Sequence, residues 1–152
     1  GSPLRAGPPG WLAVILLDTN IISELMRRAP DASVVAWVDV QPIQELHISA
    51  VTRAEIELGI ALLPEGRRKQ GLQAAAVRLF AEFHGRCLAF DERAASHYAH
   101  VVSSRRRAGR SVSVEDAQIA AVALAEGLVL ATRNVGGFEG IDGLTVVDPF
   151  RC

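Results

Sequence analysis

The 152-residue chain carries 16 Lys and Arg against 17 Asp and Glu, a formal net charge of −1, so no overall basic field marks it for nucleic acid and any such contact has to come from local patches. Its length is that of one domain, and 49% apolar residues with a positive mean hydropathy are enough for one sizeable core and point to apolar surface covered by a partner. Two cysteines, Cys87 and Cys152, form neither a disulfide framework nor a paired zinc-ligand pattern, which excludes a disulfide-stapled secreted fold and leaves reduced thiols, with Cys87 expected in the core of an apolar strand.

Residues 1–10 have no apolar periodicity and read as a leader or expression scar, leaving 11–152 as a single domain. The unbroken apolar run 11–17 is too short to span a membrane and lacks the flanks of a signal peptide. It fits a strand buried on both faces, as in a parallel sheet covered by helices, and a cytoplasmic setting without membrane contact follows as the default. The run ends at Asp18. A short helix is expected over 20–28, with Arg27 and Arg28 at its C-terminal end and Pro30 as its stop.

Asp31 predicts the cap of a helix to about 41, with Val34, Trp37 and Val38 as its apolar stripe. Residues 45–50 alternate as a short strand. Thr52-Arg53-Ala54-Glu55 reads as a capping box opening a helix over 56–63, apolar on most sides and therefore buried, between subunits of a homodimer. A longer amphipathic helix to about 84 and a strand over 87–90 follow. Asp91 caps a helix to about 107, Ser113 opens another, and Gly127 ends it. A buried strand over 128–131, a Gly-rich connection over 134–140 and a strand over 144–147 complete the alternation. Strands alternating with helices imply an α/β fold, a mainly parallel central sheet with helices on both faces.

Three acids fall on junctions near strand ends and helix starts: Asp18, Glu55 and Asp116. Each has an ordinary structural explanation as an N-cap, a capping-box acid or a first-turn acid favoured by the helix dipole. In a parallel α/β fold, however, these junctions lie along one edge, where ligands bind. Three converging carboxylates repel, each pair by about 4 kcal/mol at about 4 Å in an effective dielectric constant near 20. A hard divalent cation, Mg²⁺ or Mn²⁺, offsets that repulsion. It also lowers the pKa of bound water and polarises a phosphoryl oxygen, the equipment of phosphodiester hydrolysis.

Other acid-edge chemistries fit less well. A receiver domain needs an acid pair at the first strand and a lysine at a late strand end, but the only lysine, Lys69, lies in a helical segment. A haloacid-dehalogenase-type phosphatase needs Asp-x-Asp, and Asn20 stands at the second position. No phosphate-binding Gly-rich motif is present; Gly136-Gly137-Phe138-Glu139-Gly140 has neither the P-loop nor the dinucleotide-binding spacing. His97 and His100 share a helix face without a third ligand nearby, and no nucleophile–histidine constellation is evident.

Leu-Leu-Asp18-Thr19-Asn20-Ile-Ile-Ser-Glu, Ile-Ser-Ala-Val-Thr-Arg-Ala-Glu55, Val-Glu-Asp116-Ala-Gln-Ile-Ala-Ala and Leu-Ala-Thr132-Arg133-Asn134 together resemble the successive motifs of PIN-domain proteins over about 14–150. The nearest resemblance is to VapC-type toxins, including the FitB-like branch. It implies a PIN-like three-layer α/β/α sandwich and a Mg²⁺- or Mn²⁺-dependent endoribonuclease, the toxin of a toxin–antitoxin pair. It further implies a homodimer inhibited by a cognate antitoxin, which alone connects it to DNA. Asp18, Glu55 and Asp116 match the family's catalytic and metal-site acids, and Thr19, Asn20 and Thr132 its polar supports. The fourth position departs: many relatives place an aspartate there, whereas this chain has Asn134, which supplies an amide oxygen but no charge. That departure motivates the alternative of a weakly catalytic or non-catalytic PIN-fold module that dimerises and binds an antitoxin on DNA. Arg105, Arg106, Arg107 and Arg110, shortly before Asp116, read as a basic rim for RNA phosphates or as a solvated helix end. Arg67, Arg68 and Lys69 read as a solvated turn.

Overall fold

The computed structural model describes residues 14–151; the expected leader, the first part of the apolar run and Cys152 lie outside the described residues. Among the described residues five strands form one all-parallel sheet in the order β3-β2-β1-β4-β5. The chain runs β1 (Ile15–Leu17), α1 (Thr19–Leu25), α2 (Ala32–Asp39), β2 (Leu46–Ser49), α3 (Ala50–Ala61), α4 (Arg67–Glu82) and β3 (Cys87–Leu88). It continues with α5 (Glu92–Arg107), α6 (Val114–Glu126), β4 (Val129–Ala131), α7 (Val135–Phe138) and β5 (Val146–Val147).

Side chains alternate across the sheet, so β1 feeds two cores. Ile15 and Leu17 pack with Ile21, Ile22, Val34, Ile48, Ile56 and Phe80 on the face of α1–α4. Leu16 packs with Val101, Ile119, Val122 and Phe138 on the face of α5–α7. All three β1 residues are buried, as an apolar run covered by helices on both sides requires. This is the expected α/β/α sandwich. The strand order reverses beside β1: β2 and β3 extend the sheet one way, β4 and β5 the other. The carboxyl ends of β1 and β4 therefore mark the topological switch point, where a crevice opens in this class of fold.

Several local signals form as expected. Asp31 accepts from Ser33 N and Val34 N, Asp91 from Ala94 N and Ser113 from Asp116 N, and Gly127 closes α6 at φ 68°. Others differ. Helix α1 ends at Leu25, so Arg27 and Arg28 stand in the turn beyond it. Helix α3 begins at Ala50, because the Ser49 hydroxyl accepts from Thr52 N and caps the helix one turn before the expected box. Glu55 thus lies in the second turn, free of any capping duty. Leu58 of that helix and Leu62 just past its end are 59% and 76% exposed, since Thr52, Ile56 and Ile60 mark the face turned to the core. Cys87 is exposed rather than core, because β3 is a two-residue edge strand with little to cover it. The Gly-rich connection contains α7, held down by the fully buried Phe138.

Candidate active site

Asp18 follows β1 and Thr132 follows β4, so the switch point brings them together. The Thr132 hydroxyl donates to Asp18 Oδ2 at 2.7 Å, and Thr19 N–H donates to Oδ1 at 2.7 Å. Asn20 ties the two strand ends: its Nδ2 donates to Thr132 Oγ1 at 3.1 Å, while its Oδ1 accepts from Arg133 N at 3.1 Å. Asn134 also contributes to this bundle, through its backbone N–H, which donates to Thr132 Oγ1 at 3.0 Å. Its side chain instead lies over Gly137, where an added Cβ would stand 2.3 Å from Asn134 Nδ2. Thr132 and Asp18 are essentially sealed from solvent, so each polar atom needs these partners.

Glu55 reaches the same place from α3. The Thr19 hydroxyl donates to Glu55 Oε1 at 2.5 Å, which obliges Thr52, 3.0 Å away, to donate in turn to Thr19. Ser49 donates to Thr52 at 3.3 Å, completing a directed chain of hydroxyls that ends on the carboxylate. The Ser-x-x-Thr spacing at 49 and 52 carried the signal for Thr52, a support that the capping-box reading had spent as a helix start. Asp116 arrives in the first turn of α6, under the Ser113 cap.

Asp18, Glu55 and Asp116 line one open cavity of about 460 Å³, together with Thr19, Asn20, Ser23, Glu24 and Arg27. Neither Glu115 nor Glu139 lines it. Glu24 is a fourth acid that sequence reasoning missed, and it is already committed: it accepts from Asp31 N at 2.8 Å and pairs with Arg27 at 3.2 Å. Burial pushes the Asp18 carboxyl up to about 6. Its bonds to Thr132 and Thr19 oppose that rise, and the negative charges of Asp116 and Glu55 add to it. Asp116 is raised as well, chiefly by burial, with the Ser113 hydroxyl opposing and Glu115 reinforcing.

The donor set consists of carboxylates with hydroxyl supports, the chemistry of a hard divalent cation. Among the described residues no three His, Cys, Asp or Glu side chains already close on one point as a ligand cage. With Glu55 held by Thr19, the arrangement suits an ion that keeps several waters between itself and some of the acids, as Mg²⁺ and Mn²⁺ do.

A sequence model of the PIN domain matches residues 15–144. The chain belongs to the PIN-domain family. It is 44% identical over 140 residues to plasmid stability protein StbB of Pseudomonas syringae, covering 91% of this chain and 100% of that one. It is 38% identical to VapC ribonuclease Y4jK of Sinorhizobium fredii and 40% identical to toxin FitB of Neisseria gonorrhoeae, each over 91% of this chain and 99% of the relative. The solved structure of FitAB bound to an IR36 DNA fragment superposes with a TM-score of 0.83 at 39% identity, over 90% of this chain and 95% of that one.

For a PIN-domain protein of this type the expected basic rim before Asp116 needs correction. Arg105 is 6% exposed and faces inward. Its Nη1 donates to the Glu139 carbonyl and its Nη2 to the carbonyls of Gly137 at 2.9 Å and Ser111 at 3.5 Å, while Nε has no partner among the described residues. A guanidinium placed on carbonyls at the end of α7 caps that turn. Only Arg106, Arg107 and Arg110 remain exposed. Arg105→Met should leave these carbonyls unsatisfied and cost roughly 2–3 kcal/mol. A urea midpoint equal to that of the wild type would show that the clasp contributes nothing.

Proposed function

We propose that the chain is a metal-dependent endoribonuclease acting as the toxin of a toxin–antitoxin pair, in a cytoplasmic setting. The observation that carries this reading is the convergence of Asp18, Glu55 and Asp116 on one cavity at the switch point of the sheet, with a buried network supporting two of the three. The names of the relatives, VapC ribonuclease and toxin FitB, support the same class. Among the similar structures, the toxin–antitoxin complex from Klebsiella pneumoniae, 26% identical, and FitAB on its DNA fragment support a cognate antitoxin as partner and DNA contact through it.

A divalent cation bound at these acids, Mg²⁺ or Mn²⁺, supplies Lewis acidity toward the scissile phosphodiester and the attacking water. The protein's own part is positional. Thr132, Thr19 and Asn20 fix the Asp18 carboxylate, so that both its oxygens have set orientations. The Ser49–Thr52–Thr19 chain fixes one oxygen of Glu55, whose side chain helps line the cavity. Asp116, only half-buried, lines the same cavity from the first turn of α6. Incubating purified, partner-free protein with total cellular RNA, with and without Mn²⁺, tests the reading. RNA left intact in both samples would transfer it to the non-catalytic, antitoxin-binding module that Asn134 motivates.

Homodimerisation belongs to the same proposal. The outer face of α3 presents Ala54, Leu58 and Leu62, and with Val51 these line a shallow cleft of about 720 Å³ that also reaches Glu55 and Glu115. Burying apolar surface contributes about 25 cal/mol per Å² before association costs. The apolar stripe of α2, Val34, Trp37 and Val38, packs against the protein's own core and leaves this contact to α3. Leu58→Glu should therefore convert a dimer to monomer in light scattering, and a wild-type monomer at micromolar concentration would refute the proposal.

A further inference from the structure

The groove between the α1–α2 turn and α4, about 700 Å³, is larger than the carboxylate cavity and is lined by Arg27, Arg28, Arg67, Arg68 and Arg78, with Glu82 as its one acid. Five guanidiniums in one groove are a concentrated field in a chain whose net charge is −1. Of Arg67, Arg68 and Lys69, which the sequence suggested as a solvated turn, all three stand in the first turn of α4; Lys69 pairs with Glu65, while Arg67 and Arg68 share with Arg78 the helix face that walls the groove. Among the described residues, Arg28, Arg67, Arg68 and Arg78 have no carboxylate within ion-pair distance. Exposed cations left unneutralised on both walls of a groove call for an anionic occupant.

The groove does not stand alone. Arg27 lines both it and the cavity of Asp18, Glu55 and Asp116, held there by Glu24. A polyanion drawn to that cavity meets repulsion from the acids, and the adjoining arginines are what offset it. From Arg67 to Arg78 the helix advances about 16 Å, room for several phosphates at the roughly 3.4 Å per-strand spacing of stacked nucleic acid. The aliphatic floor of Leu72 and Leu79 offers base faces an apolar surface without sequence readout. On the other side, at the end of α5, one arginine of the expected rim is spent inside the protein.

We propose that single-stranded RNA approaches the carboxylates along this groove, its backbone held by Arg28, Arg67, Arg68 and Arg78 and passed to the site beside Arg27. The proposal rests on the ribonuclease reading above and adds the path of the substrate. The test uses the intact protein in EDTA with a labelled, unstructured RNA of about 16 nucleotides, its anisotropy followed between about 50 and 200 mM salt. For Arg67→Gln/Arg68→Gln/Arg78→Gln, Kd should rise at least about tenfold and the log–log salt slope fall by about 2, since each single-strand phosphate contact contributes about 0.7. Arg106→Gln/Arg107→Gln/Arg110→Gln, at the candidate rim beyond α5, should lose less affinity than the groove variant, and an equal loss would overturn the groove as the path. With Mn²⁺ and saturating RNA, the groove variant should keep its kcat while its KM rises, because none of the substituted residues lines the cavity of the acids. Wild-type Kd and salt slope in the groove variant would overturn the proposal and leave the groove to an acidic segment of a partner protein. Groove-dependent binding by a wild type that cleaves nothing would support the path and sink the ribonuclease reading.

Discussion

Asp116→Asn is expected to fold as the wild type does and to lose RNA cleavage by more than about 100-fold, since even outer partners of metal ligands are worth about 10–100-fold. The substitution keeps volume and shape. Ser113 still caps α6 through Asp116 N, a backbone contact that the side-chain change leaves in place. What disappears is one of the three acids of the cavity that no cation already pairs, the fourth, Glu24, being held by Arg27. Glu55→Gln should act similarly, because an amide oxygen still accepts from the Thr19 hydroxyl at the same 2.5 Å position but offers a cation no charge. Asp18→Asn goes further: its Oδ2 accepts from both Thr132 and Asn20, so an amide NH₂ there would turn the Thr132 hydroxyl away from the site. Its cleavage should be lost together with some order at the strand ends. Time courses on a labelled RNA with Mn²⁺ measure all three variants. Full activity in any one would remove that acid from the chemistry.

These contrasts show where the sequence was informative. The buried run before Asp18, the caps at Asp31, Asp91 and Ser113, and the stop at Gly127 were legible because each depends on neighbours a few residues away. Placing acids at strand–helix junctions was enough to expect one edge, and the sheet order puts Asp18 and Thr132 there. The start of α3 was not legible, because two overlapping signals, Ser49 with Thr52 and Thr52 with Glu55, compete for the same helix, and the hydroxyl pair wins the cap. The inward turn of Arg105 and the place of Glu24 were not legible for another reason. Each is a polar residue whose partners lie beyond the next turn: carbonyls at 137 and 139 for Arg105, the backbone at 31 for Glu24. No local pattern distinguishes a surface arginine from one folded inward onto carbonyls. Phe138 shows the same limit, since three glycines around it read as a loop and its burial alone makes α7 part of the core.

Acidification from pH 7 to about 5 is expected to stabilise the metal-free protein. The Asp18 carboxyl sits at about 6 in the folded chain against 3.8 ordinarily, so between those values the folded state holds a proton that the unfolded state has released. Stability from this group is therefore fully present below about 3.8 and is lost as pH rises through about 6, roughly 3 kcal/mol in all, of which a little under half separates pH 7 from pH 5. Asp116, raised in the same direction, adds to it. At about 2–4 °C per kcal/mol for a chain of this size, the shift in Tm is several degrees. Neutralising one acid should act as acid does: at pH 7 and without metal, Asp116→Asn should melt above wild type, because Asn also retains a hydrogen-bonding oxygen at the helix start. Mn²⁺ should reverse the comparison. An ion that binds only the folded state stabilises by mass action, and the wild type, with all its acids, binds it better. Thermal melts at pH 5 and 7 with EDTA or Mn²⁺ measure every term. If the metal-free protein melts lower at pH 5, and Mn²⁺ raises wild type and Asp116→Asn equally, then the acids do not share a field and Asp116 serves α6 as an ordinary first-turn carboxylate.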